Sequence, residues 1–243
     1  MPKTYKMKDI SDSFTIKKDD IPSLPARILA IGRTGCGKSS IALGNLLLRE
    51  EFYRNDFLPE NIFVFSGSLS GDIKLRTIID QMDIPSSNLF NSYDQESAHD
   101  IYDMLVENFN EKVNDKLKPE HSLIVFDDLG FTNLQKTNKQ NNILDKILCN
   151  GRKFLISTIT LNQKLTQLNT NAREQCSAVL LWKSTKKQVD LAESTFNYLS
   201  NRNAFFELVR KNTVGQHDFL VMDFQKPEIY RDMEFKPISG LPY

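Results

Sequence analysis

The sequence predicts an α/β fold in which helices flank a mostly parallel central β-sheet. Three observations carry that prediction. The apolar run Ile28-Leu29-Ala30-Ile31 enters a glycine-rich turn, Gly32-Arg33-Thr34-Gly35-Cys36-Gly37-Lys38-Ser39, which opens into Ile41-Ala42-Leu43-Gly44-Asn45-Leu46-Leu47-Leu48. A second apolar run, Ser122-Leu123-Ile124-Val125-Phe126, ends in the adjacent carboxylates Asp127 and Asp128. A third, β-branched run, Phe154-Leu155-Ile156-Ser157-Thr158-Ile159-Thr160, closes on Asn162-Gln163. Buried strands with polar residues gathered at their C-terminal ends are how α/β sheets hold ligands.

The glycine-rich turn fits the phosphate-binding P-loop in both spacing and context, a strand before it and a helix after it. A turn without bulky side chains lets backbone N–H groups of residues 32–40, from Gly32 to Ser40, converge on phosphate oxygens at the positive end of a helix. Lys38 is expected to reach the β- and γ-phosphates of ATP, and the Ser39 hydroxyl to ligate the Mg2+ that bridges them. Cys36 occupies a position where the pattern allows any residue.

Composition bounds the rest. The 243 residues, 40% of them hydrophobic, with 10 Gly and 9 Pro, suit one globular α/β domain. Its expected divisions are an N-terminal arm over 1–25, a P-loop domain over 26–226 and an irregular tail over 227–243. Charge is balanced at 31 basic and 31 acidic residues, so nucleic-acid contacts would come from local patches and not from a bulk positive field. Cys36, Cys149 and Cys176 form no metal-ligand pattern and leave one thiol unpaired in any disulfide scheme, which suits a reducing compartment. No apolar run reaches the roughly 18 residues of a membrane span, and no secretory leader pattern precedes the arm. The expectation is a soluble, unprocessed chain.

In chain order, the arm mixes Lys3, Lys6, Lys8, Lys17 and Lys18 with Asp9, Asp12, Asp19 and Asp20 and leaves room for one short strand. After the P-loop helix, Ile62-Phe63-Val64-Phe65-Ser66 reads as a second buried strand, Ile73 to Met82 as a helix and Asn88 to Ser92 as a short strand. Ile101, Leu105 and Phe109 recur every four residues, which predicts a helix from Gln95 to Val113 with one face on the sheet. Gly130 to Asn142, with Lys136 and Lys139, is a polar loop able to reach a partner. A helix from Ile143 to Asn150 stops at Gly151. Ser177 to Trp182 is a further strand, and Lys183, Lys186 and Lys187 start a helix. Phe205 to Val209 and Asp218 to Phe224 are expected as a late hairpin around Thr213-Val214-Gly215-Gln216.

In a P-loop fold the first of the paired acids, Asp127, holds Mg2+ and the second, Asp128, polarises an attacking water. A glutamine after the next strand, Gln163, is placed to hydrogen-bond the γ-phosphate or that water.

Taken together, GRTGCGKS at 32–39, LIVFDD at 123–128 and NGRKFLISTITLNQ at 150–163 resemble the FtsK/HerA superfamily of DNA-pumping ATPases, with its RecA/FtsK-like P-loop NTPase fold. The short chain and the form of the third motif look most like the genome-packaging ATPases of poxviruses, giant DNA viruses and virophages. The likeness spans roughly residues 26 to 185. It implies that Asp127 is the Walker B carboxylate and that Asp128 stands where many relatives carry a catalytic glutamate. It further implies that Arg152 is an arginine finger acting on the neighbouring subunit's nucleotide, with Arg173 a second, lower-ranked arginine.

The expected function is Mg-dependent ATP hydrolysis that drives double-stranded viral DNA into a preformed capsid, from a homo-hexameric ring docked on a capsid vertex or membrane protein. Such a motor would work in the host cytoplasm or viral factory and associate with the virion, with no membrane insertion of its own. The alternatives are a cellular or plasmid DNA translocase of the same superfamily and a non-motor nucleotide-binding switch. The first usually carries membrane anchors or DNA-reading domains, and the second has no need of Lys38, Asp127, Asp128 and Gln163 together.

Overall fold

The computed structural model describes residues 9–128, 142–227 and 229–243. Eight strands form one sheet in the order β3-β2-β4-β5-β1-β6-β7-β8. They are β1 (Arg27–Ile31), β2 (Ile62–Ser66), β3 (Leu89–Phe90), β4 (Ser122–Asp127), β5 (Ile156–Asn162), β6 (Ala178–Trp182), β7 (Phe219–Asp223) and β8 (Tyr230–Arg231). The first six run parallel, and β7 and β8 continue the sheet antiparallel.

Burial on both faces explains the strand sequences. Along β1, Ile28 and Ala30 enter one core beside Leu43 and Leu46 of the P-loop helix. Leu29 and Ile31 enter the other, with Ile101 and Leu105 of α3 (Gln95–Asn114) and Ile147 of α4 (Ile143–Asn150). A strand covered on both sides has no polar face to alternate with, so it reads as a continuous apolar run. The helix after the P-loop begins in wide π-type turns over Lys38–Leu43 and continues as α1 (Gly44–Leu48).

The connection from β1 crosses to β2 and leaves β5 and β4 to fill the gap between them. The C-terminal ends of β1, β5, β4 and β2 therefore lie side by side, in register as Ile31 with Asn162, Asp127 with Leu161 and Ser66 with Asp127. That edge carries all three sequence motifs.

The structure corrects the late hairpin. Phe205 to Val209 lies within a helix, α7 (Arg202–Asn212), and only Phe219–Asp223 of the expected pair is a strand. Phe205, Leu208 and Val209 are buried at helical spacing, and the Asn201 side chain caps the helix by accepting from Ala204 N at 2.9 Å. β-propensity in Phe-Phe-Glu-Leu-Val loses to that cap and period. The tail, expected to be irregular, adds β8 and buries Tyr230 and Phe235. The arm is anchored rather than peripheral from Ile16 onward. Ile16 bridges Leu24, Ile21 and Leu24 enter the core, and the buried Tyr53 hydroxyl donates to Pro22 O at 2.5 Å. No helix among the described residues is long and apolar enough to cross a membrane.

Candidate nucleotide site

The glycine-rich turn needs its glycines for two different reasons. Gly35 and Gly37 take φ of 79° and 106°, a region that strains residues with a Cβ. Gly32 is there for space, since a Cβ would lie 2.8 Å from Trp182 Cβ and 2.5 Å from Cys36 Sγ. Lys38 Nζ donates to Gly32 O at 2.8 Å and Arg33 O at 3.1 Å, so its ammonium spans the mouth of the turn. Burial pushes the Cys36 thiol up, away from the thiolate that redox chemistry needs.

Opposite the turn, Asp127 is 5% exposed, and its Oδ2 accepts from Ser66 Oγ at 2.8 Å and Ser68 Oγ at 3.2 Å. Burial raises its pKa, and the two hydroxyls oppose that rise without cancelling it. Asp128 follows with φ of 51°, an uncommon left-handed conformation for a non-glycine residue. Its Oδ2 accepts from Gln163 Nε2 at 3.0 Å, while Oδ1 is buried with no partner among the described residues. Gln163 is itself held in place, because Gln167 Oε1 accepts from the backbone N–H of both Gln163, at 2.7 Å, and Lys164, at 2.8 Å.

Thr34, Gly35, Gly37, Lys38, Ser39, Ser40, Asp127, Asp128 and Gln163 line one cavity of about 240 Å³. Other expected residues lie elsewhere. Gly32 and Cys36 sit buried beneath the turn, and the Arg33 side chain lines an adjoining cavity. Arg173 is 8% exposed, with Nη1 donating to Leu165 O at 3.1 Å and Leu168 O at 2.7 Å, and Nη2 to Thr170 Oγ1 at 3.1 Å. It clamps the turn that follows Gln163. Arg152 is exposed in a short 3-10 turn, Gly151–Phe154, ahead of β5. It therefore sits at the strands' N-terminal ends, roughly 20 Å from the P-loop edge by strand rise. Of the Gly130 to Asn142 loop with Lys136 and Lys139, all but Asn142 lies outside the described residues.

Sequence reasoning missed two supports. Ser66 and Ser68 carried no signal beyond their place at the end of a strand. The second is the segment between α7 and β7, which folds back onto the P-loop. Gln216 Nε2 donates to Gly35 O at 3.2 Å, and the His217 ring meets Cys36 O through Nδ1 at 3.0 Å. A carbonyl only accepts, so Nδ1 carries the proton. Trp182 Nε1 donates to His217 O at 3.1 Å and fixes the segment from below. These bonds hold the Gly35 and Cys36 carbonyls on the segment between α7 and β7. His217→Ala should raise the KM for ATP roughly fivefold, the worth of one hydrogen bond of about 1 kcal/mol, with kcat nearly unchanged. His217→Asn, whose amide donates from a position like Nδ1, should restore it. A fall in kcat at constant KM would refute this role.

The donor set fits Mg2+. Ser39 and Asp127 offer hard oxygen ligands in one cavity, and a single carboxylate beside substrate phosphates is the usual protein share of such a site. Buried Asp127 carries a charge that its surroundings disfavour, so a cation there relieves a cost already present in the fold. No group of three or more His, Cys, Asp and Glu suited to a metal occurs among the described residues.

A parallel sheet with a P-loop, an acid pair ending the strand two places away and a glutamine bonded to the second acid define a P-loop ATPase. Residues 14–223 match the poxvirus A32 protein family, and the chain belongs to it. No curated protein matches the chain. Among solved structures, the genome packaging NTPase B204 of Sulfolobus turreted icosahedral virus 2, in complex with AMP, is 14% identical, with a TM-score of 0.58, covering 88% of this chain and 98% of that one. B204 of Sulfolobus turreted icosahedral virus, a DNA-packaging ATPase, is 17% identical, with a TM-score of 0.56 and the same coverage. ATPases 2 and 3 of EssC from Geobacillus thermodenitrificans align over 73% of this chain and 35% of theirs, at 13% identity and a TM-score of 0.51. At such identities the likeness is one of fold.

Proposed function

We propose that this chain is the ATP-driven motor that pumps double-stranded viral DNA into a preformed capsid, working as a ring, hexameric in our reading. One observation carries the ring. The cavity holding Lys38, Asp127, Asp128 and Gln163 is lined by Lys38 and Lys74 as its cations and by no arginine among the described residues. Hydrolysis builds charge on the transferred phosphoryl group, and a guanidinium is the usual means of stabilising it. A second copy supplies it through Arg152, which lies at the far end of its own sheet. DNA as the substrate is supported by membership of the A32 family and by the packaging role named for the B204 proteins.

Within one subunit the steps divide as follows. The P-loop N–H groups of residues 32–40 and Lys38 hold the phosphates, with Ser39 and Asp127 as the protein ligands of Mg2+. The ion, once bound, neutralises charge on the phosphate oxygens. Asp128 Oδ1, buried and without a partner among the described residues, is the acceptor for the attacking water's proton. Gln163, bonded to Asp128 Oδ2, orients the same water and transmits loss of the γ-phosphate to the turn held by Gln167 and Arg173. Lys136 and Lys139 grip DNA through its phosphates, without sequence readout. The motor docks on a capsid vertex or membrane protein and acts in the host cytoplasm or viral factory, in association with the virion.

The deciding experiment is the ATPase rate of the wild type against protein concentration, with and without linear double-stranded DNA. The rate per subunit should rise with assembly and again with DNA. A rate independent of both would favour a stand-alone nucleotide-binding switch.

A further inference from the structure

A second cavity, of about 590 Å³, adjoins the nucleotide cavity and shares Thr34 and Gln163 with it. Its wall carries three cations, Arg33, Lys164 and Lys187, and no carboxylate among the described residues lines it. None of the three is in an ion pair among the described residues. Gln188, 8% exposed, also lines the cavity. Its Oε1 accepts from Leu165 N at 2.7 Å, and its Nε2 has no acceptor among the described residues. Three such cations and the Gln188 amide around one cavity form an arrangement that a tetrahedral anion completes.

We propose that this cavity is a second phosphate site, taking either a backbone phosphate of bound nucleic acid or the inorganic phosphate leaving the nucleotide cavity. The nucleic-acid source rests on the motor reading above; the inorganic one requires only ATP hydrolysis. Lys164 follows Gln163 directly, and one side chain, Gln167, holds the N–H groups of both. An anion drawn to Lys164 is thereby felt at the glutamine that is bonded to Asp128. Occupancy here is read directly by the hydrolytic site.

The test uses the full chain with Lys164→Gln and Lys187→Gln combined, leaving the P-loop's Arg33 in place. Basal ATPase, the Kd for linear double-stranded DNA across a salt series, and inhibition by inorganic phosphate are measured. Basal activity should stay within about twofold of wild type. If the site takes backbone phosphate, DNA Kd rises about tenfold or more, and the slope of log Kd against log salt falls by roughly 2, near one unit per lost contact. If it takes the product, the inhibition constant for phosphate rises by a similar factor at unchanged DNA affinity. The paired Lys→Arg variant should restore whichever value moved. If both values stay at wild-type levels, the proposal is overturned. Should the double variant melt early, Lys187→Gln alone is read in the same two assays. A wild type that binds no DNA would end the motor reading, and the phosphate assay alone would then decide the cavity.

Discussion

Replacing Lys38 by alanine is expected to lower ATP hydrolysis by at least about a hundredfold to a thousandfold, the scale seen when one preorganised electrostatic group is removed. The structure gives the reason. Lys38 is one of two cations in the cavity, and the other, Lys74, stands on α2 (Ile73–Gln81) and not on the phosphate-binding turn. Its ammonium already bridges two carbonyls of that turn, Gly32 and Arg33, and has only to exchange them for phosphate oxygens. Loss of a half-exposed side chain should leave the melting temperature close to wild type. Steady-state hydrolysis, read beside a thermal melt, checks both halves. A variant that retained a tenth of wild-type activity would show that the turn does not act through this lysine.

The second large effect is expected at Arg152. Arg152→Ala should reduce hydrolysis by the assembled protein about a thousandfold or more, the range measured for arginine fingers, with ATP affinity unchanged. The geometry makes the test sharp. Arg152 and the P-loop stand at opposite ends of parallel strands, so within one subunit the guanidinium cannot reach the phosphates. Mixing Arg152→Ala with Lys38→Ala subunits should therefore recover part of the activity, because an interface then forms between an intact P-loop and an intact Arg152. The competing role is local. Arg152 follows Gly151, the C-cap of α4, where a cation offsets the helix dipole. That role predicts a lower melting temperature, a nearly normal rate and no recovery on mixing.

Much of the site was legible because its chemistry is local. Gly35 and Gly37 are required by backbone angles within a single turn, and Lys38 and Ser39 follow at fixed spacing. Asp127, Asp128 and Gln163 each end or follow an apolar run, and a parallel sheet brings such ends to one edge whatever the details of packing. The α3 stripe of Ile101, Leu105 and Phe109 was equally readable and is buried. Phe205 to Val209 was misread because a short apolar run fits either period, and the Asn201 cap that settles it lies outside the run.

The sequence by itself determined a parallel α/β sheet of the nucleotide-binding kind and which residues form its glycine-rich turn, the acid pair and the glutamine beyond it. Those features rest on backbone conformation and on strand-end chemistry, and both act over a few neighbouring residues. Only the tertiary structure decided how they are held. Ser66 reaches Asp127 across 61 residues, and His217 and Gln216 reach the P-loop across 181. It also decided that Arg173 is buried as a clamp while Arg152 is exposed at the opposite end of the sheet. Such contacts depend on the order in which strands assemble, β5 between β1 and β4 and the antiparallel β7 beside β6, and no local pattern encodes that order.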